Sequence, residues 1–237
     1  MSAPPRVSVV FPAYNEEAGV DETIARARTS LARISPEHEV IVVDDASTDG
    51  MPARLEALKR EWPALRVLRN PINLGAGGSL LVGMKAATGA VVAHDSMDYP
   101  FDLDDLERVL PLFPEADVVV VTRTDRSAHS AYRKVTSLVH YWLVRVLFGI
   151  RLRDMNFVQV YKREALARLT VKARSPAFVT PELLIRARDL GMRIVEVPAP
   201  FHRRQKGAAS YGRVRDILWA LADMLSFWAE RRRGAAS

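Results

Sequence analysis

The sequence predicts an α/β protein whose core is a mostly parallel β-sheet flanked by helices. Short apolar runs rich in valine and isoleucine, such as residues 7–11 and 39–43, alternate with longer segments whose apolar residues recur at helical spacing. Uninterrupted apolar runs are typical of parallel strands that helices cover on both faces. The N-terminal half reads strand, helix, strand, helix, strand, helix, strand, and right-handed crossovers of this kind build a parallel sheet.

Each element of the first half has its own signal. The first strand stops at Pro12, the following helix shows Val20, Ile24 and Leu31 at helical spacing, and the second helix ends before Pro63. Strands are predicted at residues 7–11, 39–43, 65–68 and 90–93, and helices at residues 16–31, 55–62 and 77–87.

The second half is less regular, but it still predicts alternating elements. Strands are predicted at residues 117–121, 157–161 and 193–197, and helices at residues 132–148, 181–190 and 214–230. Pro181 suits the first turn of its helix, and Pro198 closes the last strand. The final helix is apolar over more than half of its circumference, including Trp219 and Trp228.

Composition excludes several classes of protein. With 237 residues, 49% hydrophobic and 26% charged, the chain is an ordinary globular protein and is expected to form one domain. No stretch reaches the length needed to span a bilayer and no signal peptide is recognised, so a cytoplasmic protein is expected. The absence of cysteine excludes disulfides, thiolate metal sites and a cysteine nucleophile.

The net charge of +6 does not indicate a nucleic-acid partner. Its main basic clusters are residues 203–206 and 231–233, whereas a nucleic-acid binder should carry one continuous basic stripe. Local roles for these two clusters are therefore expected.

Acidic residues follow three of the first four predicted strands, at residues 15–16, 44–45 and 95–98. The carboxyl ends of parallel strands meet at one edge of the sheet, where open α/β sheets bind ligands. Three such loops predict a binding crevice, whereas a single one would more often be a helix cap. Asp102 or Asp104 is expected to cap the helix that starts at Leu103.

Asp95 and Asp98 are candidate ligands for a divalent cation. Mg²⁺ and Mn²⁺ prefer oxygen ligands and are commonly shared with substrate phosphates, so a phosphate-bearing substrate is expected. His94 is a further candidate ligand, although a histidine at a strand end is more often a packing residue.

The glycine-rich segment at residues 73–79 is not a dinucleotide fingerprint, because Leu80 stands where the third glycine is required. Gly75 to Gly78 would allow the backbone to approach a nucleotide closely. The alternative is a loosely wound helix start.

Several segments in register resemble the successive motifs of family 2 glycosyltransferases with the GT-A fold, most closely those of the polyprenyl- and dolichol-phosphate sugar synthases. The four main segments are residues 9–16, 42–49, 73–75 and 89–98. Later matches are Thr122-Arg123, Arg133, Asp154, Glu182-Leu-Leu, Glu196-Val-Pro198, Arg203-Arg204, Gly207 and Ser210. The resemblance covers most of the chain.

The resemblance also implies roles for individual residues. Asp95 and Asp98 would match the metal-binding motif of two aspartates separated by one residue, with Met97 as an inserted residue that makes the motif bulged. Arg203 and Lys206 would approach the diphosphate from a loop that orders when the donor binds. The implied nucleotide-sugar contacts are Pro12, Tyr14, Glu16, Asp45, Gly75, Asp95, Arg123, Arg203 and Lys206.

By the same resemblance, the chain would be a metal-dependent inverting glycosyltransferase that uses a nucleotide diphosphate-sugar and Mg²⁺ or Mn²⁺. Residues 1–123 would form the donor half and residues 124–237 the acceptor half. Asp98 and Glu182 are the candidate catalytic residues; Glu182 would be the general base for a hydroxyl acceptor, or would only cap its helix. A catalytically inactive nucleotide-sugar binding module of the same fold is the alternative.

The acceptor is less defined: a polyprenyl phosphate or a small, soluble or carrier-linked metabolite. The two apolar helices at residues 132–148 and 214–230 suggest an acceptor channel or a membrane-surface patch with residues 231–233 at the headgroups, which would place the protein at the inner face of the membrane. The alternatives are core packing for the first helix, through Val135, Leu138, Trp142 and Val146, and a homodimer interface for the last.

Overall fold

The computed structural model describes residues 5–98, 100–124, 131–200 and 214–234. Seven strands occur within these ranges: β1 Val7–Ala13, β2 His38–Asp44, β3 Leu65–Arg69, β4 Val91–His94, β5 Val118–Arg123, β6 Gln159–Lys162 and β7 Ile194–Ala199. The helices there are α1 Glu17–Ile34, α2 Met51–Glu61, α3 Gly75–Ala86, α4 Leu106–Val109, α5 Ala131–Phe148, α6 Arg163–Ala167, α7 Pro176–Asp189 and α8 Val214–Gly234. Short 3₁₀ turns at Leu103–Asp105 and Leu110–Leu112 flank α4.

The strands form one sheet in the order β3-β2-β1-β4-β6-β5-β7. All neighbouring pairs are parallel except the two that involve β6, which runs antiparallel to both β4 and β5. The predicted mostly parallel sheet is therefore confirmed. Because β6 is reversed between them, β4 and β5 run in the same direction, so six strands end at the same edge of the sheet.

Helices cover both faces of the sheet. Val9 and Phe11 of β1 are in the core cluster that includes α1, whereas Val10 points to the opposite face and packs against α3. A Cβ at Gly83 of α3 would lie 2.3 Å from Cγ1 of Val10, so this helix can pack closely on the sheet only because that position lacks a side chain. The burial of both faces of the sheet explains why the strands read as continuous apolar runs.

One predicted helix start is wrong. The helix placed at Pro181 begins at Pro176, and Pro181 lies inside it. The residue before a proline disfavours helical geometry, which made Pro181 look like a start. The burial of Phe178 against Phe148 and Phe227 explains why the preceding turn is nevertheless helical.

A buried carboxylate joins β1, β2 and β3 near their amino ends, on the side of the sheet opposite to the acidic loops. Glu39 of β2 accepts hydrogen bonds from Ser8 Oγ (2.6 Å), Thr88 N (2.6 Å) and Arg66 Nη1 (2.7 Å). Burial raises the pKa of Glu39, but the hydrogen bonds from Ser8, Arg66 and Thr88 outweigh it and bring this pKa down from 4.5 to about 2. The ionised carboxylate is therefore part of the folded structure.

We expect Glu39→Gln to lower the free energy of unfolding by about 2 kcal/mol at pH 7, because hydrogen bonds to a charged group are lost. Since the folded-state pKa is depressed, the stability from Glu39 is complete above pH 4.5 and is lost as the pH falls through about 2. Urea denaturation at pH 7 and pH 3 measures this, with the exposed Glu37→Gln as control. An equal effect of both substitutions would contradict the assignment.

Candidate active site

The topology brings the predicted acidic loops together. The carboxyl ends of β1, β2 and β4 lie at one edge of the sheet, next to each other in the strand order. The carboxyl end of β5, with Arg123, lies at the same edge, as does the amino end of the reversed β6. This edge is where ligands bind in open α/β sheets.

The loops after β1 and β2 are fastened to each other. The backbone N–H of Asn15 donates to Ser47 Oγ (2.9 Å), and the N–H of Thr48 donates to Asn15 Oδ1 (2.8 Å). Asn15 and Ala46 both have positive φ, 54° and 60°, which is uncommon for residues other than glycine. Strained backbone of this kind clusters at functional sites.

Asp44 and Asp45 have different roles. Both oxygens of Asp44 have protein partners: Oδ1 accepts from the N–H of Ser47 (2.9 Å) and Oδ2 pairs with Arg69 (3.1 Å). Asp45 Oδ1 accepts from Asn70 Nδ2 and from the N–H of Leu74, both at 2.8 Å. Asp45 Oδ2 is buried and has no partner. Asp45 therefore keeps one carboxylate oxygen without a protein partner, and its nucleotide contact stays a prediction.

The other three predicted contacts of this part of the crevice are less enclosed. Pro12 is half-buried in β1 opposite Val43, and Tyr14 is exposed just beyond the strand. Glu16 precedes α1, and its backbone carbonyl accepts from Gly19 and Val20. The structure places all three at or beyond the end of β1, without assigning a ligand contact to any of them.

The acidic loop after β4 alternates between buried and partly exposed residues. Asp95 and Met97 are 3% and 4% exposed, whereas Ser96 and Asp98 are partly exposed. Asp95 Oδ1 accepts from the N–H of Ser96 (2.9 Å), and its Oδ2 is buried without a partner. Burial raises the pKa of the Asp95 carboxyl. Ser96 Oγ donates to Asp98 Oδ1.

His94 is a packing residue in this structure. It is buried at the end of β4, and its Nε2 accepts from the backbone N–H of Gln159 (3.3 Å). Burial lowers the pKa of His94 to about 4, so the ring is neutral near pH 7. The packing alternative is therefore favoured over the metal-ligand one. Further along, Asp102 caps the 3₁₀ turn by accepting from the N–H of Asp104 (3.1 Å), as predicted.

Protein groups from other segments lie next to Gly75 and Gly77, at the glycine-rich segment where a nucleotide contact is predicted. Gly75 has φ +75°, and a Cβ built on it would lie 3.2 Å from the Trp219 ring of α8. A Cβ on Gly77 would lie 2.5 Å from the carbonyl oxygen of Arg174. These glycines therefore allow α8 and the segment before α7 to pack against the start of α3, which begins at Gly75 itself.

Arg123 is held by a buried acid. Its Nε and Nη2 donate to the two carboxylate oxygens of Asp154 at 2.7 and 3.0 Å, and its guanidinium lies over the ring of Phe157. The bidentate pair fixes the carboxyl end of β5 to the segment before β6. The predicted nucleotide-sugar contact of Arg123 would be made by a side chain already oriented in this way.

Glu182 is fully buried on α7 and its carboxylate is surrounded by donors. Oε2 accepts from the N–H of Ala173 (2.7 Å), and the N–H of Lys172 lies 3.2 Å from Oε1. Arg186, one turn later, donates to Oε1 at 2.7 Å. These contacts favour a structural role over that of a general base. The role differs from the predicted helix cap, because Glu182 holds the segment that precedes α7.

Arg203 and Lys206 lie outside the described residues, so their predicted approach to the diphosphate has no structural counterpart. Within the ranges that are described, no cluster of three or more His, Asp or Glu side chains is arranged to hold a metal ion. A cation held by one or two carboxylates and completed by substrate phosphates fits this donor set. The unpartnered Asp95 Oδ2 and the partly exposed Asp98 are the oxygen donors at the predicted place.

Residues 8–168 match the model of the family described as Glycosyl transferase family 2. This is more than half of the chain. The chain belongs to glycosyl transferase family 2. The matched region contains the three acidic loops, the Asn70–Asp45 contact and the Arg123–Asp154 pair, so the family resemblance of the motifs is confirmed.

Members of this family with curated names are similar to the chain over most of its length. It is 29% identical to Glycosyltransferase AglD of Haloferax volcanii, covering 94% of this chain and 37% of that protein. It is 26% identical to the dodecaprenyl-phosphate galacturonate synthase of Rhizobium johnstonii, covering 93% and 65%. It is 28% identical to the undecaprenyl-phosphate mannosyltransferase of Micrococcus luteus, covering 85% and 86%. The chain thus spans less than two thirds of the first two relatives.

Solved structures of glycosyltransferases with the GT-A fold are similar to this structure. The glucosyl-3-phosphoglycerate synthase of Mycobacterium tuberculosis, in complex with Mn²⁺, UDP-glucose and phosphoglyceric acid, superposes with a TM-score of 0.69 at 26% identity, covering 95% of this chain and 80% of that one. The mannosyltransferase PcManGT of Pyrobaculum calidifontis, in complex with GDP-Man and Mn²⁺, gives 0.60 at 21%, covering 86% and 58%. The predicted fold class is confirmed.

Several residues of the site were not predicted. Asn70 is buried and donates from its amide to both Asp45 and Ser79 Oγ (2.8 Å each), and Trp219 covers Gly75. Thr23 of α1 donates to the backbone carbonyl of Met97 (2.6 Å). The only sequence signal for Asn70 and Thr23 is a polar residue at a strand end or on the apolar face of a helix.

We expect Glu182→Gln to lower the free energy of unfolding by about 3 kcal/mol, because it removes the charge that pairs with Arg186 and turns an amide group toward other donors. Thermal denaturation measures the loss, with the exposed Glu164→Gln as control. Once folded at low temperature, the variant should keep its turnover within about threefold. A loss of 100-fold or more with normal stability would instead identify Glu182 as the general base.

Proposed function

We propose that this chain is a glycosyltransferase that moves a sugar from a nucleotide diphosphate-sugar to an anionic, phosphate-bearing acceptor. One observation carries the donor side of the proposal: Asp45 and Asp95, at the ends of strands that flank β1, each bury a carboxylate oxygen with no protein partner. Buried polar groups are nearly always hydrogen-bonded, so a ligand is the natural partner at a sheet edge that binds ligands.

The donor half is residues 1–123. Asp45 accepts hydrogen bonds from the N–H groups of a base or from the hydroxyls of a ribose, and Tyr14, exposed beside it, offers an aromatic face. Pro12 and Glu16 complete the wall at the end of β1. Two structural relatives hold UDP-glucose and GDP-Man, which supports a nucleotide diphosphate-sugar donor of either base.

A divalent cation would be held at the acidic loop, where Asp98 and Asp95 would supply oxygen ligands. When bound there, Mg²⁺ or Mn²⁺ neutralises charge on the diphosphate leaving group. The structures of the Mycobacterium tuberculosis synthase and of PcManGT both contain Mn²⁺, which supports metal dependence. Arg203 and Lys206 would add positive charge from the segment before α8.

The acceptor is proposed to be a polyprenyl phosphate whose phosphate oxygen attacks the anomeric carbon from the face opposite the leaving group, which inverts it. A phosphate is already anionic and needs no strong base. This agrees with the contacts of Glu182, whose carboxylate is occupied by Lys172, Ala173 and Arg186. The names of two relatives contain a polyprenyl phosphate, which supports the same class.

The acceptor half carries an unusual apolar surface on α5. The expectation that its apolar stripe packs into the core is wrong: Val135, Leu138, Val139, Trp142 and Val146 are 53–76% exposed. The opposite face of α5, with Val144 and Phe148, is the one that enters the core. The periodicity marks a clear apolar stripe on α5, but the structure exposes this stripe instead of burying it. Contiguous exposed apolar patches mark interaction sites.

We propose that this exposed α5 stripe rests on an anionic lipid surface. The helix contains no acidic residue, and Arg145 lies over the rings of Tyr141 and Trp142 at 5.3 Å. An apolar face with aromatic residues and only basic charge suits the interface of an anionic membrane. In a homodimer through α5, two copies of the same cationic face would meet. No helix among the described residues is long and apolar enough to cross a bilayer.

The end of α8 is a weaker candidate for headgroup contact than predicted. Arg231 pairs with Asp189 and lies over Phe227, Arg232 lies 4.3 Å over Trp228, and Arg233 donates to the carbonyl of Ala229. These arginines therefore already have partners within the fold. The stripe on α5 is the better candidate for a membrane contact.

Isothermal titration calorimetry with UDP and GDP, each with and without Mn²⁺, tests the donor site. We expect Mn²⁺ to tighten nucleotide binding, Asp45→Asn to weaken it about tenfold with or without metal, and Asp98→Asn to remove most of the metal-dependent gain. Asp105→Asn, in the same acidic run, is the control. No binding of any nucleotide diphosphate by the wild type would refute the proposal, and binding without turnover of any sugar donor would favour an inactive binding module.

Flotation with vesicles containing about one third anionic lipid tests the membrane contact. We expect the wild type and Leu190→Glu, which alters an exposed apolar residue outside α5, to float, and the double variant Leu138→Glu/Trp142→Glu to remain at the bottom. Multi-angle light scattering without lipid tests the homodimer: a dimer that the double variant dissociates would show that α5 binds a second copy instead.

A further inference from the structure

The inserted residue of the acidic loop is anchored in the core. Met97 is 4% exposed and belongs to the cluster that α1 forms with the sheet. Because it is buried together with Asp95, the partly exposed residues of this loop are Ser96 and Asp98, whose side chains are hydrogen-bonded to each other. The insertion therefore pairs a hydroxyl with the second carboxylate.

The backbone of the same residue is held by a side chain on another element. Thr23 lies on the apolar face of α1, between Val20 and Ile24, and is 4% exposed. Its hydroxyl donates to the carbonyl oxygen of Met97 at 2.6 Å, across 74 positions of sequence. A buried carbonyl in a loop needs such a donor, and the loop has no strand partner at this point.

A second threonine on α1 shows that a helical threonine does not always make a long-range hydrogen bond. The hydroxyl of Thr29 donates to the carbonyl of Ala25, four residues earlier (3.0 Å), which is the usual local bond of a helical threonine. Thr23 makes a long-range bond instead. The two residues thus provide a matched pair, one local and exposed, the other long-range and buried.

We propose that Thr23 is a positioning residue for donor binding: by fixing the carbonyl of Met97, it presents Ser96 and Asp98 together to the cation and diphosphate of the donor. The inference rests on the proposed glycosyltransferase function. In this proposal α1 holds the extra residue Met97 in place, although the sequence predicts no chemical role for this helix.

The test compares Thr23→Val, Thr23→Ser and Thr29→Val with the wild type. Valine keeps the shape of threonine but cannot donate, whereas serine keeps the hydroxyl. In calorimetry with UDP or GDP, we expect Thr23→Val to reduce the Mn²⁺-dependent gain in affinity about tenfold and to leave the metal-free affinity within about twofold. Thr23→Ser and Thr29→Val should retain the full gain.

Hydrogen exchange without ligand is the second readout. Thr23→Val should accelerate exchange of the amides of residues 96–98 and leave those of β1 and β2 unchanged. Unaltered exchange in the loop, or an unaltered Mn²⁺-dependent gain, would overturn the inference. A wild type that binds no nucleotide diphosphate would refute the proposed function, and hydrogen exchange would still decide whether Thr23 holds the loop. If Thr23→Val weakened nucleotide binding equally with and without Mn²⁺, Thr23 would have a general structural role. This result would also overturn the inference.

Discussion

The carboxylate of Asp45 is the contact on which the arrangement of the site depends. One oxygen ties the end of β2 to Asn70 after β3 and to the backbone of Leu74 before α3, and Asn70 continues the connection to Ser79 within α3. The other oxygen is buried and unpaired. Burying an unpaired carboxylate oxygen is unfavourable, so the fold keeps at this point a polar atom that a bound ligand would satisfy.

The buried carboxylates of residues 1–123 and of residues 124–237 differ in whether all of their oxygens have partners. In residues 1–123, Asp44 and Glu39 have both carboxylate oxygens occupied and stabilise the sheet, whereas Asp45 and Asp95 keep one oxygen unoccupied at the strand ends. In residues 124–237, the carboxylates of Glu182 and Asp154 are both engaged by basic side chains or backbone N–H groups. Two of the buried carboxylate oxygens without a partner, those of Asp45 and Asp95, thus lie where the donor is proposed to bind.

Much of the fold could be predicted from the sequence because its signals are local. Apolar runs ending in acidic residues place β1, β2 and β4, and parallel topology then brings their loops to one edge. The start of α7 was missed because Pro181 suggested a first turn, while the burial of Phe178, a tertiary effect, extends the helix backward. The exposed face of α5 could not be predicted because an apolar stripe at helical spacing usually marks the buried face, and here the stripe is exposed.

The site could be predicted less completely, because its arrangement depends on tertiary contacts that leave no local signal in the sequence. Asp45 and Asp98 are visible as acidic residues after strands, but Asn70, which contacts Asp45, and Thr23, which holds the carbonyl of Met97 beside Asp98, come from distant segments. Asn70, Thr23 and Trp219 carry no motif, and only the three-dimensional packing shows that each contacts a loop of the crevice. Gly75 is an example: the sequence predicts a nucleotide contact there, and the structure shows the Trp219 ring of α8 next to it.

The contact between Trp219 and Gly75 brings α8 to the edge of the sheet where the donor is proposed to bind. The same helix places Asp223 on the N–H groups of Arg174 and Ser175, at 3.0 and 2.8 Å, and so also holds the start of α7. A chain shortened before α8 would therefore expose the first turn of α3 and two backbone donors at once. Helix α8 is therefore part of the same folding unit as α3 and α7.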